Sequence, residues 1–224
     1  MPETQRFLEE FDAFKVCLLE MGGLAEERVR AVIAALVDRD AGAVEAIVSG
    51  DGPINRLQVD IDGRGFQLLA LYQPVATDLR SIMAALKINT DLERVGDLAV
   101  NIAEAARRYF THAPVKPLVD IPRMAGIAQG MLRDALDAFV RRDAALAHDV
   151  LKRDDSLDDL KTQVFRELLT YMLQDPSTIE PALNLILISR HLERIGDHAT
   201  NVAEEVIFMV SARDVRHSAS APGS

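Results

Sequence analysis

The sequence of 224 residues predicts an all-α protein: two tandem, pseudo-symmetric, antiparallel three-helix bundles, six helices in all. Three observations predict it. Ala, Leu, Arg and Glu give a composition rich in helix formers, and no run alternates apolar and polar residues long enough to suggest a sheet. Apolar residues recur at helical spacing in long runs separated by short breaks. The second half also repeats the first: MGGLAEERVRAVIAALVDRD (21–40) lies over MAGIAQGMLRDALDAFVRRD (124–143) without a gap. Residues 86–104 then match 186–204 with 10 of 19 positions identical. The offset between copies drifts from 103 to 100 only around the proline turns, where loops absorb length changes.

The elements follow in order. The first helix spans the apolar periodicity from Phe7 to Val37, with Gly22-Gly23 placed to kink it. Asp40 is placed to N-cap the second helix, which runs to about Tyr72 and can bend near Gly50, Gly52 and Pro53. Gln73-Pro74 marks a tight break, with Pro74 suited to the first turn of the third helix, which runs to about Arg108. THAPVKPLVD (111–120) reads as a linker. The pattern then repeats over roughly 121–141, 143–174 and 178–212, with Pro181 in the first turn of the last helix. Two domains result, 1–112 and 121–212, followed by a tail, 213–224, whose SASAPGS ending predicts disorder.

Charge and cysteine content exclude several classes. A formal net charge of −10 repels phosphate backbones, so a general nucleic-acid binder is disfavoured. Cys17 is the only cysteine, so internal disulfides and Cys-rich metal sites are excluded. The polar start MPETQRFLEE lacks the apolar core of a signal peptide. Runs such as AVIAALV (31–37) are far short of the ~20 apolar residues a membrane span needs. The expectation is a cytoplasmic protein with no membrane insertion.

The chemistry concentrates in DLERVGD (91–97) and HLERIGD (191–197). On a helical wheel, Glu93, Asp97, Asn101 and Glu104 lie opposite the apolar stripe, as do Glu193, Asp197, Asn201 and Glu204. Gly96 and Gly196 flank the apolar side, where a missing side chain admits a neighbouring helix. A solvated polar face with local pairs (Arg94–Asp97, Arg194–Asp197, Arg190–Glu193) explains part of this pattern. Yet Glu93 and Asp97 are like charges at i,i+4, and Glu93 has no cation three or four residues away. Both copies keep the arrangement while neighbouring positions diverge. Counting back from the hairpin tip at Gln73-Pro74 sets Glu93 level with Asn55 and Asp97 level with Asp51. In the second copy Glu193 and Asp197 fall level with Asp154–Asp159. Oxygen ligands from two helices suit hard divalent cations or carboxylate-bridged iron, and a cation relieves the repulsion between the carboxylates. Helical di-iron enzymes take imidazole from Glu-x-x-His, but the residues three after Glu93 and Glu193 are glycines. His191 and His198 have Asp91 and Leu98 as counterparts, and read as surface or inter-helix residues. No nucleophile elbow, phosphate loop or zinc spacing is present.

Taken together, MGGLAE (21–26), QPVATDLR (73–80), ALKINTDLERVGDLAVNIAE (85–104) and HLERIGDHATNVAEEV (191–206) resemble the PhoU family over about residues 5–212. The resemblance implies two tandem three-helix bundles whose paired acidic motifs bind metal ions, including iron clusters. Onto this chain the motifs map as Glu93/Asp97 with Asp51/Asn55, and Glu193/Asp197 with Asp154/Asp158. Asn55 departs from the pattern, offering a neutral oxygen in place of a carboxylate. The implied role is regulatory rather than enzymatic: a homodimer restraining phosphate uptake and phosphate-starvation signalling. Its implied partners are the ATPase subunit of the phosphate ABC transporter and a phosphate-sensing histidine kinase. The rival readings are a metal-dependent enzyme with carboxylate-bridged iron, and a helical adaptor without metal.

Overall fold

The computed structural model describes residues 3–50 and 52–212. They form α1 (Glu3–Asp38), α2 (Ala41–Ser49), α3 (Gly52–Tyr72), α4 (Ala76–Tyr109), α5 (Asp120–Arg141), α6 (Ala144–Gln174), a 3-10 turn (Pro176–Thr178) and α7 (Ile179–Ser211). No strand occurs among the described residues, and none of these helices is long and apolar enough to cross a membrane. The tail expected from residue 213 onward lies outside them.

The six-helix plan holds with one subdivision: the second helix is broken into α2 and α3 rather than bent. Pro53 is the reason. It has no N–H to donate to the Ser49 carbonyl, and its ring crowds that turn, so the helix stops at Gly50 and restarts at Gly52. The matching position in the second copy is Ser156, and α6 runs through unbroken. Asp40 caps α2 as expected, its carboxylate accepting from the Ala43 N–H at 3.0 Å. Asp143 caps α6 in the same way. Each cap follows an arginine, Arg39 or Arg142, at φ 54°, which turns the chain sharply out of the preceding helix.

Two further expectations are corrected. Gly22-Gly23 does not break the first helix, since α1 is continuous through it. Gly22 is instead a contact point between bundles: a Cβ there would collide with Leu136 of α5. Pro74 stands outside α4, which is N-capped by extended Val75. Gln73 takes φ 44° and Ala76 takes φ 48°, so the turn needs three residues before the helix begins. Pro181 does fall in the first turn of α7.

The bundles share one continuous core. α4 packs against α7 and α1 against α5. The α4–α7 pair is antiparallel: Lys87 bonds both carboxylate oxygens of Glu205, and Arg108 near the other end of α4 bonds Asn184. The pseudo-symmetry axis therefore brings DLERVGD and HLERIGD close to one another at the centre of the molecule.

The linker is anchored rather than loose. The Lys116 ammonium, 7% exposed, bonds Asp120 at 3.0 Å and also Glu167 of α6. Replacing Lys116 with methionine keeps the stem but leaves two carboxylates without their shared cation. Stability should fall by about 1–3 kcal/mol. Urea denaturation checks this; an unchanged midpoint would mean that the apolar contacts of Val115 and Leu118 hold the linker alone.

Candidate functional site

The α3–α4 and α6–α7 hairpins pair in the register counted from the sequence. A Cβ on Gly96 would stand 2.9 Å from Ile54, and one on Gly196 would collide with Leu157, the counterpart of Ile54. The glycines thus admit the facing helix, as their places on the wheel imply. The acidic turns of α4 and α7 lie along the seams so formed.

In the second seam the four expected carboxylates come together. Asp154 and Asp158 approach from α6, Glu193 and Asp197 from α7. The Asp154 Oδ1 is 3.5 Å from the position a Gly196 Cβ would take. Burial, and then the negative charges of Asp197, Asp158, Asp155 and Glu193, push the Asp154 carboxyl up to about 6. Asp197 is raised by burial and by Glu193 and Asp158, against the pull of His198 and Lys161. Lys161 Nζ lies 2.7 Å from both Asp158 and Glu193. Bonds to those two carboxylates push its pKa up to about 12, against burial. Glu193 therefore takes its cation from the facing helix, where the sequence pattern suggested Arg190.

The first seam is built differently. Asp51 lies outside the described residues, and Asn55 is exposed on α3. Arg94 reaches both acids of its own turn, with Nε 3.4 Å from Glu93 and Nη1 3.3 Å from Asp97. The Arg94–Asp97 pair was legible; the Glu93 contact, between adjacent residues, was not. Arg28 of α1 enters as well. Its Nη2 donates to the Gly50 carbonyl, and its Nη1 is 3.8 Å from the position of a Gly96 Cβ.

Among the described residues, no three His, Cys, Asp or Glu side chains are arranged as a metal-holding group. The donor chemistry of the two seams nevertheless differs. The second sets four carboxylates against one ammonium, an excess of oxygen donors and negative charge that fits a hard cation. In the first, Arg94 pairs with both Glu93 and Asp97, and Arg28 stands beside the Gly96 position.

The histidines are inter-helix groups. His198 Nδ1 is 2.8 Å from Asp91 Oδ1 across the α4–α7 contact, and Asn201 donates to the same oxygen at 3.1 Å. His191, the counterpart of Asp91 in the repeat, has a buried Nδ1 with no hydrogen-bond partner among the described residues. Burial, then Arg194, Arg190 and Arg108, hold its pKa below the ordinary value.

Comparison with known proteins gives consistent matches. The family model described as "PhoU domain" matches twice, at residues 18–106 and 121–206. A Caulobacter vibrioides "phosphate-specific transport system accessory protein PhoU homolog" is 42% identical over 208 residues, 92% of this chain and 90% of its own. A Pseudomonas aeruginosa protein of the same name is 40% identical over 215 residues, 96% of this chain and 89% of its own. The crystal structure of PhoU from Pseudomonas aeruginosa superposes with TM-score 0.88 at 39% identity, covering 92% of this chain and all of that one. The phosphate transport system regulatory protein PhoU from Streptococcus pneumoniae gives TM-score 0.86 at 27% identity, covering 93% and 99%.

Proposed function

We propose, from the premise that this chain belongs to the PhoU family, that it is an accessory protein of a phosphate-specific transport system and restrains phosphate uptake. It works in the cytoplasm by protein–protein contact, with the ATPase subunit of the transporter and with a phosphate-sensing histidine kinase. It does so as a homodimer, whose mass light scattering would measure. Its Caulobacter vibrioides and Pseudomonas aeruginosa relatives are named as accessory proteins of that system.

The observation that carries the contact reading is the apolar surface at the hairpin tips. Phe165, Leu169 and Leu173 follow one another at i,i+4 on α6, and Ile179, Leu183 and Leu187 do so on α7. All six are exposed, Leu173 at 79%. Large apolar side chains grouped on a surface mark interaction sites. The groove behind them, about 420 Å³, is walled by Phe165 and Ile186 and carries Arg190 at its side.

Leu173→Asp with Leu183→Asp should cost no more than about 1–2 kcal/mol in thermal unfolding and leave the protein folded, because Leu173 is 79% and Leu183 49% exposed. The same pair should abolish recovery of the transporter ATPase and the sensor kinase in pull-downs from cell extract. Equal recovery with the substituted protein would move the contact surface elsewhere. No recovery of either partner with the unaltered protein, at high and at low phosphate, would remove the reading.

The second seam is the proposed cation site, with Asp154, Asp158, Glu193 and Asp197 as its oxygen donors. A divalent or iron cation there would supply positive charge that Lys161 alone does not. The unmet negative charge around Asp154 supports this.

A further inference from the structure

We infer that the groove between α6 and α7 docks an amphipathic helix of a partner protein, one that carries a large apolar side chain and two carboxylates a helical turn apart. This rests on the contact reading above, and names the chemistry of what the second hairpin receives.

The two hairpins differ at one buried place. Asn89 of α4 is fully buried and reaches across to α3. Its amide donates there to the Gln58 carbonyl at 3.0 Å and to Asp62 Oδ1 at 2.9 Å. Its counterpart on α7 is Ser189. That hydroxyl is too short to cross, and donates at 2.9 Å to the Ile186 carbonyl of its own helix. The acceptor is replaced as well: the offset of 103 that sets Ile54 over Leu157 sets Asp62 over Phe165. A polar bridge therefore spans the first hairpin, and Ser189 and Phe165 leave the same place unbridged in the second. Gly65 tightens the first hairpin further, since a Cβ there would collide with Leu86 of α4. The residue at that offset on α6 is Leu168, bulky and fully buried. What stands open between α6 and α7 is the groove of about 420 Å³, with Phe165, Ile186 and Ser189 in its lining.

The lining selects the occupant. Phe165 stands where the first copy has Asp62, Leu187 where it has Lys87, and Arg190 where it has Thr90. The groove has thus become apolar and basic together. Phe165 is 49% exposed, and covering it with an apolar side chain is favourable. The charge is unbalanced in one sense. Glu193, the acid of the groove, is taken by Lys161 at 2.7 Å. Arg190 in the groove wall and Arg194 one turn further are exposed, and neither has a hydrogen-bond or ion-pair partner among the described residues. In the first copy Arg94 turns to Glu93 and Asp97. In the second, Lys161 has displaced Arg194 from Glu193, which leaves its guanidinium for an acid from outside. Two such groups at i,i+4 match carboxylates at the same spacing on a helix lying along α7, and a guanidinium pairs with a carboxylate through two parallel bonds. Apolar side chains laid between two helices, with charges complementary at the rim, are how a groove grips an amphipathic helix. A free anion would use the two guanidinium groups and leave the apolar walls in water.

Selection on the full chain from a displayed library of amphipathic helical peptides, with the residues beside a Leu and Phe ridge randomised, tests the inference. Recovered peptides should carry acids three or four residues apart next to a large apolar residue. Arg190→Glu with Arg194→Glu should weaken their binding in fluorescence polarisation by about tenfold or more, and should favour twins in which the acids are replaced by lysine. Phe165→Asp with Ser189→Asn rebuilds the bridge of the first copy and should abolish binding. If that protein fails to fold by circular dichroism, Leu187→Lys with Arg190→Thr, two exposed positions, carries the test. Peptides without acids, peptides held equally after the charge reversal, or no recovered peptide at all would overturn the inference. A change of mass in light scattering on charge reversal would seat a second copy of this chain in the groove and overturn it too. The contact reading is judged separately, in cell extract. It fails if the unaltered protein recovers neither the transporter ATPase nor the sensor kinase. It survives, and the groove inference falls, if recovery withstands Arg190→Glu with Arg194→Glu and is lost with Leu173→Asp and Leu183→Asp.

Discussion

Gly196→Val is expected to destabilise the protein by about 2–3 kcal/mol, read as a lower denaturation midpoint at nearly constant slope. A Cβ at this position collides with Leu157, which is fully buried. Leu157 cannot swing aside into solvent, and Met131 and Asp154 close the remaining directions at 3.7 and 3.5 Å. Valine adds two more carbons beyond that Cβ, and its branched side chain is stiff on a helix. The helix must move outward or Leu157 must leave its rotamer, and overpacking of this kind costs about 1–3 kcal/mol. Removing a helical glycine returns only about 0.5 kcal/mol for valine. Gly126→Ala is the control, because Gly126 lies on α5 with nothing within 4 Å of the added carbon. That change should stabilise by about 0.5–1 kcal/mol. If both substitutions shifted stability alike, close approach at Gly196 would not be what its lack of a side chain serves.

The same glycine shows why much of the fold was legible. Repetition of Leu-Glu-Arg-x-Gly-Asp, with an apolar stripe at helical spacing, fixed which face of α4 and α7 points inward. Leu92 and Leu192 are indeed fully buried. Counting from the hairpin tip worked because two antiparallel helices rise at the same rate, so register carries over from the turn. It failed in detail where local turn chemistry decided. Pro53 divides a helix that apolar spacing alone would continue, and Gln73–Val75 spend three residues in a turn that Pro74 seemed to shorten.

The cations of the site were harder to read. A helical wheel sees only partners on its own helix, so it pointed to Arg190 for Glu193. The residue found there is Lys161 on α6, and Arg28 reaches the first seam from α1, more than 60 positions before Glu93. A signal did exist. The repeat alignment opposes Arg28 to Met131, and its continuation opposes Gln58 to Lys161. Each is a change of charge between copies at a place where the acidic residues stayed the same. In a duplicated chain, such a mismatch marks a cation that arrives from a different helix.

Asp154→Asn should raise the stability of chelator-stripped protein at neutral pH by about 1 kcal/mol, and should remove the stabilisation that a cation gives. The carboxyl sits among four other carboxylates, and burial with their charge lifts it from its ordinary value near 3.8 to about 6. A folded-state pKa above the unfolded one means that the folded protein holds the proton more tightly. Stability therefore falls as pH rises from about 4 to about 6, and the penalty is fully present above that window. A rise of this size would correspond to about 3 kcal/mol without screening, and solvent at a half-buried group reduces it to about 1. The amide removes the charge, so its advantage should vanish below about pH 4, where the native carboxyl is protonated in both states. Added cation reverses the order. At a concentration about one hundred times its Kd, a bound ion stabilises the unaltered protein by about 2.7 kcal/mol, and the asparagine variant, short of a charged donor, should gain almost none of it. Thermal melts of both proteins, with chelator and with Mn²⁺, give four values that must cross in this sense. Parallel shifts with Mn²⁺ would show that Asp154 is not among the donors. An unchanged melt of the variant in chelator would show that the charge around it is already balanced, which removes the physical reason for a metal in the second seam.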